Sequence, residues 1–171
     1  MIRLAGSHRL LLVPRTSSTE QAFKSPRHCS TQLLRNMSSV TTHPSLRKVS
    51  TANAPQAIGP YSQAIVSPPF VFVSGCLGFD PKTGAFVDGG VEAQARQALQ
   101  NLKSVIEASG SEVGKIVKTT VFLKDLNNFG AVNAIYQDFF GEHKPARSLV
   151  EVARIPRDGL FEIEAIGSIS S

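Results

Sequence analysis

The order of elements readable in this chain predicts an α+β fold, a single layer of mixed β-sheet with two helices on one of its faces. Three observations carry that expectation. Residues 91–106 repeat apolar side chains at steps of three and four, and residues 129–140 do so again. Short β-branched runs bounded by Pro, Gly and Asp flank both segments, giving the order strands, helix, strand, helix, two strands.

Leu46 to Ala52 mixes β-branched and polar residues and suits an edge strand. Asn53 to Pro60 carries the Pro and Gly of an irregular loop. Gln63 to Val66 and Phe70 to Gly75 read as strands bent at Pro68-Pro69. Asp80-Pro81-Lys82-Thr83-Gly84 is a turn, because proline presets φ and Gly84 can take a positive one. In the first helix Val91, Ala95, Ala98, Leu99, Leu102, Val105 and Ile106 form the buried stripe, and Gly110 stops the run. Its other face carries Glu92, Gln94, Arg96, Gln97, Lys103 and Glu107.

Ile116 to Leu123 is the next strand. The second helix is expected to be N-capped by Asn127, with Phe129, Val132, Ile135, Tyr136, Phe139 and Phe140 as its stripe. Asn133 falls within that stripe, where a polar group needs a partner or a cleft. Arg147 to Ala153 and Leu160 to Ile169 are the last strands, joined by the turn Pro156-Arg157-Asp158-Gly159. Two helices cover only one face of a sheet. Val66, Val71, Val73, Val121, Leu123, Val150 and Val152 are too many to turn towards them all, so some are expected to meet another subunit.

The 171 residues allow one domain plus an appendage, divided near residue 45. The formal charge of +5 suggests a nucleic-acid partner until it is located. Residues 1–48 hold eight Lys and Arg against the single acid Glu20; residues 49–171 hold ten against twelve Asp and Glu, a balance of −2. A mildly acidic domain is a poor partner for phosphate backbones. No stretch approaches the length needed to span a bilayer.

Residues 1–45 are rich in Arg, Ser and Thr, with apolar surface from Ile2, Leu4, Leu10, Leu11, Leu12 and Val13. That composition reads as an organellar, mitochondrial presequence, the plainer alternative being a disordered tail. Arg27-His28-Cys29-Ser30 suits a processing protease, and initiation at Met37 would yield a cytosolic form. Once Cys29 is removed with the presequence, Cys76 stands alone, so no internal disulfide is expected.

The chemistry concentrates near the C-terminus. Arg147 heads one predicted strand, and a guanidinium can clamp a carboxylate through two parallel hydrogen bonds. Strand alternation puts Arg147, Leu149 and Glu151 on one side, and Glu162 with Glu164 on one side of the next strand. Were those strands a hairpin, Arg147, Glu162 and Glu164 would share its polar face, either as a site or as a cross-strand ion pair. Glutamate there can hold and polarise a water.

Elsewhere the signals are weaker. His143 is the sole histidine outside the N-terminal region, and no residue set has metal-ligand spacing. Gly75 and Gly78 mark a bend with close approach rather than a phosphate loop. Cys76 reads as a small buried hydrophobe, and Ser74 lacks the neighbours of a nucleophile. Tyr61 is either packing or a hydroxyl at a pocket rim.

Several separated blocks resemble the reactive intermediate deaminase family, the RidA, YjgF or UK114 group. They are Ala54 to Ala64, Phe72 to Gly84, Val117 to Leu126 with Val132-Asn133-Ala134, and Pro145 to Ser148 with Glu162 to Ile166. The resemblance spans about residues 47 to 169. It implies a chorismate-mutase-like fold that forms homotrimers with a central barrel and sites between subunits. It further implies cofactor-free hydrolysis of 2-enamino and 2-imino acids, such as 2-iminopropanoate and 2-iminobutanoate, to 2-oxo acids and ammonia. Those species damage pyridoxal-phosphate enzymes.

By matched position, Arg147 holds the substrate carboxylate, Ser74 adds a hydrogen bond and Glu162 positions the attacking water. Tyr61 and Asn133 line the cleft, and the Gly75 backbone approaches the ligand. Leu149 stands where many relatives have cysteine, leaving its carbonyl to contact water; Cys76 stands where glutamine is common, and the loop before Pro145 is short. These departures bear on substrate preference rather than on activity class. Two other activities compete: an RNA-binding or endoribonuclease-type translation inhibitor, and a trimer that binds 2-oxo acids without turnover. The acidic domain, with two tyrosines and no tryptophan, opposes the first. The pairing of Arg147 with Glu162 opposes the second, since a carboxylate binder has no need of the glutamate.

Overall fold

Alternation and helical periodicity together place one sheet against two helices, and the computed structural model, which describes residues 40–169, has that arrangement. The strands are β1 (Arg47–Val49), β2 (Ala64–Ser67), β3 (Phe70–Leu77), β4 (Ile116–Leu123), β5 (Ala146–Glu151) and β6 (Phe161–Ser168). The helices are α1 (Gly90–Ala108) and α2 (Phe129–Phe140). The sheet order is β1-β2-β3-β6-β4-β5. All neighbours are antiparallel except β4 and β5, whose parallel pairing needs a crossover that α2 supplies. Residues 1–39 of the presequence expected over 1–45, with the Arg27 processing region, Cys29 and Met37, lie outside the described residues.

The stripe expected on α1 is the buried one: Ala95, Ala98, Leu99, Leu102, Val105 and Ile106 all lie in the core. They meet Val71, Val73, Val121, Leu123, Phe161, Ile163 and Ala165 from the sheet. Register explains the sheet side, since Val73 pairs with Ala165, Val121 with Ile163 and Leu123 with Phe161. Partners in register point to one face, so these residues form one continuous layer beneath the helices.

That layer takes in five of the seven residues judged too many for the helix side and leaves Val150 on the outer face. Val66, Val71, Val73, Val121 and Leu123 all turn inward and are buried. The outer face carries a patch of Phe70, Phe72, Phe122, Val150 and Ile166 interleaved with Lys118, Thr120, Ser148, Glu162 and Glu164, with Phe72 opposite Ile166 and Phe122 opposite Glu162. Phe70, Phe72 and Val150 are the most open of its apolar side chains, between 42% and 46% exposed.

Three further expectations change. Gln94 does not face solvent: it is buried and its Oε1 accepts the Leu160 N–H at 2.8 Å. Asn127 does not cap α2; it lies in a short 3-10 turn, Leu126–Asn128, whose cap is Asp125, with Oδ1 accepting from Asn127 N–H at 2.8 Å. The hairpin of the last two strands does not exist. β4 lies between β5 and β6, and the connection through Pro156–Asp158 passes over it.

Two buried amides hold the segments that shape the site. Asn101 on α1 donates to the carbonyls of Leu77 and Phe79 at 2.8 and 2.9 Å, tying the helix to the end of β3. Gln63 accepts from Thr51 N–H and donates to the carbonyls of Thr51, Ala54 and Pro55, so the loop before β2 is fixed from beneath.

Candidate active site

Glu162 sits on the outer face of β6, beside a bulge in β3 where the register slips between Val73 and Cys76. The bulge brings the Gly75 backbone under the carboxylate. A Cβ placed on Gly75 would stand 1.9 Å from Glu162 Oε1, so only glycine leaves room for it. The Glu162 carboxyl is raised from its ordinary pKa by burial first and by the neighbouring charge of Glu164 second.

Around it opens a cleft of about 540 Å³, lined by Tyr61, Ser74, Gly75, Cys76, Phe79 and Arg157 among others. Ser74 Oγ donates to the Ser62 carbonyl at 2.7 Å, and Tyr61 is about half exposed at the rim. Burial, with Glu162 nearby, pushes the Cys76 thiol up to about 12, which leaves it a protonated, inert group.

Arg147 occupies a second cleft of about 420 Å³, with Asn133, Tyr136, His143 and Lys144 on its walls. Arg147 Nη2 donates to Asn133 Oδ1 at 2.9 Å, and its guanidinium carbon lies 4.5 Å above the centre of the Tyr136 ring. The polar residue within the α2 stripe thus has its partner.

These two clefts do not join within one chain. Arg147 pairs in register with Thr119 on the helix side of β4, whereas Glu162 pairs with Phe122 on the outer side. The expected common face is therefore wrong, and so is the ion-pair alternative: among the described residues neither Glu162 nor Glu164 makes a salt bridge. Tyr61, Ser74, Gly75 and Glu162 come together; Asn133 and Arg147 come together; Leu149 packs against the helix-side core and lines neither cleft.

Sequence reading passed over Tyr136 as a site residue, treating it as core. The signal was its phenol in a buried stripe, which needs a partner and finds Thr119 Oγ1 at 2.8 Å. It also passed over the cleft walls formed by Phe79 and Arg157, which are close only through tertiary contact. Among the described residues no group of His, Cys, Asp and Glu could hold a metal, and no helix is long and apolar enough to cross a membrane.

Fold and clefts together define a class, a small α+β chain with sites scaled for small molecules. The chain belongs to the family described as Endoribonuclease L-PSP, whose profile matches residues 51–169, the RidA/YjgF family of the resemblance. It is 56% identical over 123 residues to the 2-iminobutanoate/2-iminopropanoate deaminase of Salmonella typhimurium, covering 70% of this chain and 95% of that protein. The Homo sapiens protein of the same description is 46% identical over 120 residues, covering 70% and 88%. Among solved structures, E. coli TdcF with bound serine matches with a TM-score of 0.70 at 45% identity, over 72% of this chain and 99% of that one. Yeast Mmf1 matches at 0.71 and 41%, over 73% and 99%.

Proposed function

We propose that this protein is a hydrolytic deaminase of reactive 2-enamino and 2-imino acids, releasing 2-oxo acids and ammonia and so protecting pyridoxal-phosphate enzymes. One observation supports this reading most: Arg147 and Glu162, the two groups the chemistry needs, stand on opposite faces of one sheet, each open to a cleft. A second copy brings such half-sites together. The exposed Phe70, Phe72 and Val150 on the outer face supply a surface for it, which favours a homotrimer with a central barrel of the chorismate-mutase-like kind and sites between subunits.

In that site Arg147 pairs with the substrate carboxylate, and ionised Glu162 holds a water against the imine carbon. Attack forms the C–O bond as the C=N π electrons move to nitrogen; Glu162 takes the water proton and returns it to nitrogen. Collapse then expels ammonia as Glu162, ionised again, takes the second water proton from the oxygen, giving the 2-oxo acid. An iminium carbon is already electrophilic, so orientation and one polarised water suffice without a cofactor or covalent intermediate. The basic, Ser- and Thr-rich N-terminal presequence suits delivery to the mitochondrial matrix, with a cytosolic form from Met37; fractionation showing a single organellar band would remove the second form.

The test is ammonia release from 2-aminoacrylate generated in situ by a serine dehydratase. Wild type should accelerate it, Arg147→Ala should abolish turnover with fold intact, and Glu162→Gln should lower turnover more than 2-oxobutanoate binding. Co-assembling the two inactive variants should restore about a quarter of wild-type activity, the share of sites pairing an intact Arg147 with an intact Glu162. No restoration would place both residues in sites of one chain. Binding of 2-oxobutanoate without turnover would favour the non-catalytic module, and RNA cleavage without imine hydrolysis the ribonuclease.

A further inference from the structure

The guanidinium of Arg147 is held from two directions. The Tyr136 ring lies beneath its carbon at 4.5 Å, and Asn133 Oδ1 takes one of its N–H groups at 2.9 Å. Asn133 and Tyr136 are three residues apart on α2 and so share one side of the helix. A ring below and an acceptor at one edge fix both the plane and the rotation of a planar fork. Among the described residues Asn133 is its only hydrogen-bond acceptor, so the remaining N–H groups stay available to a carboxylate.

The ring is itself tethered. Tyr136 is buried, its ring backed by Phe140 at 4.4 Å between centres, and its hydroxyl pairs with Thr119 Oγ1 at 2.8 Å. Thr119 is fully buried in β4, the strand between β6 and the edge strand β5, and lies beside Arg147 in the β4–β5 register. The contacts close a ring through β4, α2 and β5. Packing alone does not ask for this: phenylalanine at 136 with valine at 119 would fill the same space without two buried hydroxyls to satisfy.

We propose that Tyr136 is a positioning residue for substrate recognition, its Thr119-anchored ring setting the plane in which Arg147 meets the carboxylate of a 2-imino acid. The proposal rests on the deaminase reading above. It assigns Tyr136 an effect on binding of the carboxylate and none on the hydrolytic step, which belongs to Glu162.

The experiment uses the full chain, with 2-oxobutanoate as the calorimetric probe and 2-aminoacrylate turnover as the kinetic one. Tyr136→Leu should raise both the 2-oxobutanoate Kd and KM about tenfold while kcat stays within about twofold, as expected for loss of a partly desolvated cation–π contact. Tyr136→Phe and Thr119→Val keep the ring and cut its tether from either end, so each should raise KM by a smaller and matching factor, about threefold. A residue that only fills the core would lower the melting temperature and leave Kd and KM unchanged, and that result overturns the proposal.

Should Tyr136→Leu fail to fold, phenylalanine carrying one, two and three fluorines at position 136 keeps the shape and weakens the ring face stepwise. Kd should rise along that series; a flat or falling one overturns the proposal. A wild type that neither binds 2-oxobutanoate nor hydrolyses 2-aminoacrylate removes the deaminase reading and this proposal with it. A wild type that does both, with Tyr136 variants that match it, removes this proposal alone.

Discussion

At position 75 the absence of a side chain leaves the space that the Glu162 carboxylate fills. The Cβ that any other residue adds there would overlap Glu162 Oε1, and the easiest relief is for the carboxylate to swing away. Gly75→Ala should therefore keep a melting temperature near that of wild type yet lose most imine hydrolysis; full activity would show that Glu162 has no need of its present place. The same carboxylate sets the pH response. Its pKa is raised by burial and by Glu164, so the ionised form is lost at a higher pH than for a free glutamate. Activity should fall with decreasing pH along a limb displaced upward from the ordinary glutamate range, measured as kcat/KM. Glu164→Gln removes the smaller cause and should move that limb down without returning it to the ordinary position. The stability sign is opposite to that of a salt-bridged acid. Burying ionised Glu162 costs the fold, so Glu162→Gln should gain stability above the raised pKa and match wild type below the ordinary one.

At the scale of elements, the join between α1 and β3 positions the Glu162 cleft. Asn101 is 1% exposed and supplies the only side-chain donor that the Leu77 and Phe79 carbonyls have among the described residues. Asn101→Ala leaves both without it at the foot of the bulge. Urea unfolding should show a loss of about 1–3 kcal/mol, the cost of unpaired buried acceptors. An unchanged midpoint would mean that water replaces the amide. Both helices, the sheet strands and the turn at Gly84 were legible beforehand because their signals are local: a stripe every three to four residues, alternation, and a glycine that indeed takes φ 67°. The caps were less legible. Asp125 and Asn127 are equally good capping residues by type, and only the backbone path determines that Asp125 accepts the bond.

For the whole molecule, the outer face joins the fold to the proposed assembly. Phe72 is 46% exposed near the centre of the sheet, across from Ile166. A charge there costs the isolated chain only the edge-on contact with Phe70, and costs far more in an interface. Phe72→Glu should yield a folded monomer by sedimentation and lose activity with the assembly; an active monomer would refute sites built between copies.

The sequence by itself determined which segments become helix or strand, because short-range periodicity is a property of the chain. It also offered Arg147, Glu162, Asn133, Tyr61, Ser74, Gly75 and Leu149 as candidate site residues, of which all but Leu149 line a cleft. What only the tertiary structure decided is how they are grouped. Strand order is set by long-range pairing, and placing β4 between β5 and β6 puts Arg147 on the helix side and Glu162 on the outer side. Alternation tells which residues of one strand share a face. It cannot tell which face of the next strand they share, since a strand inserted between two neighbours changes the answer without changing a single residue of either.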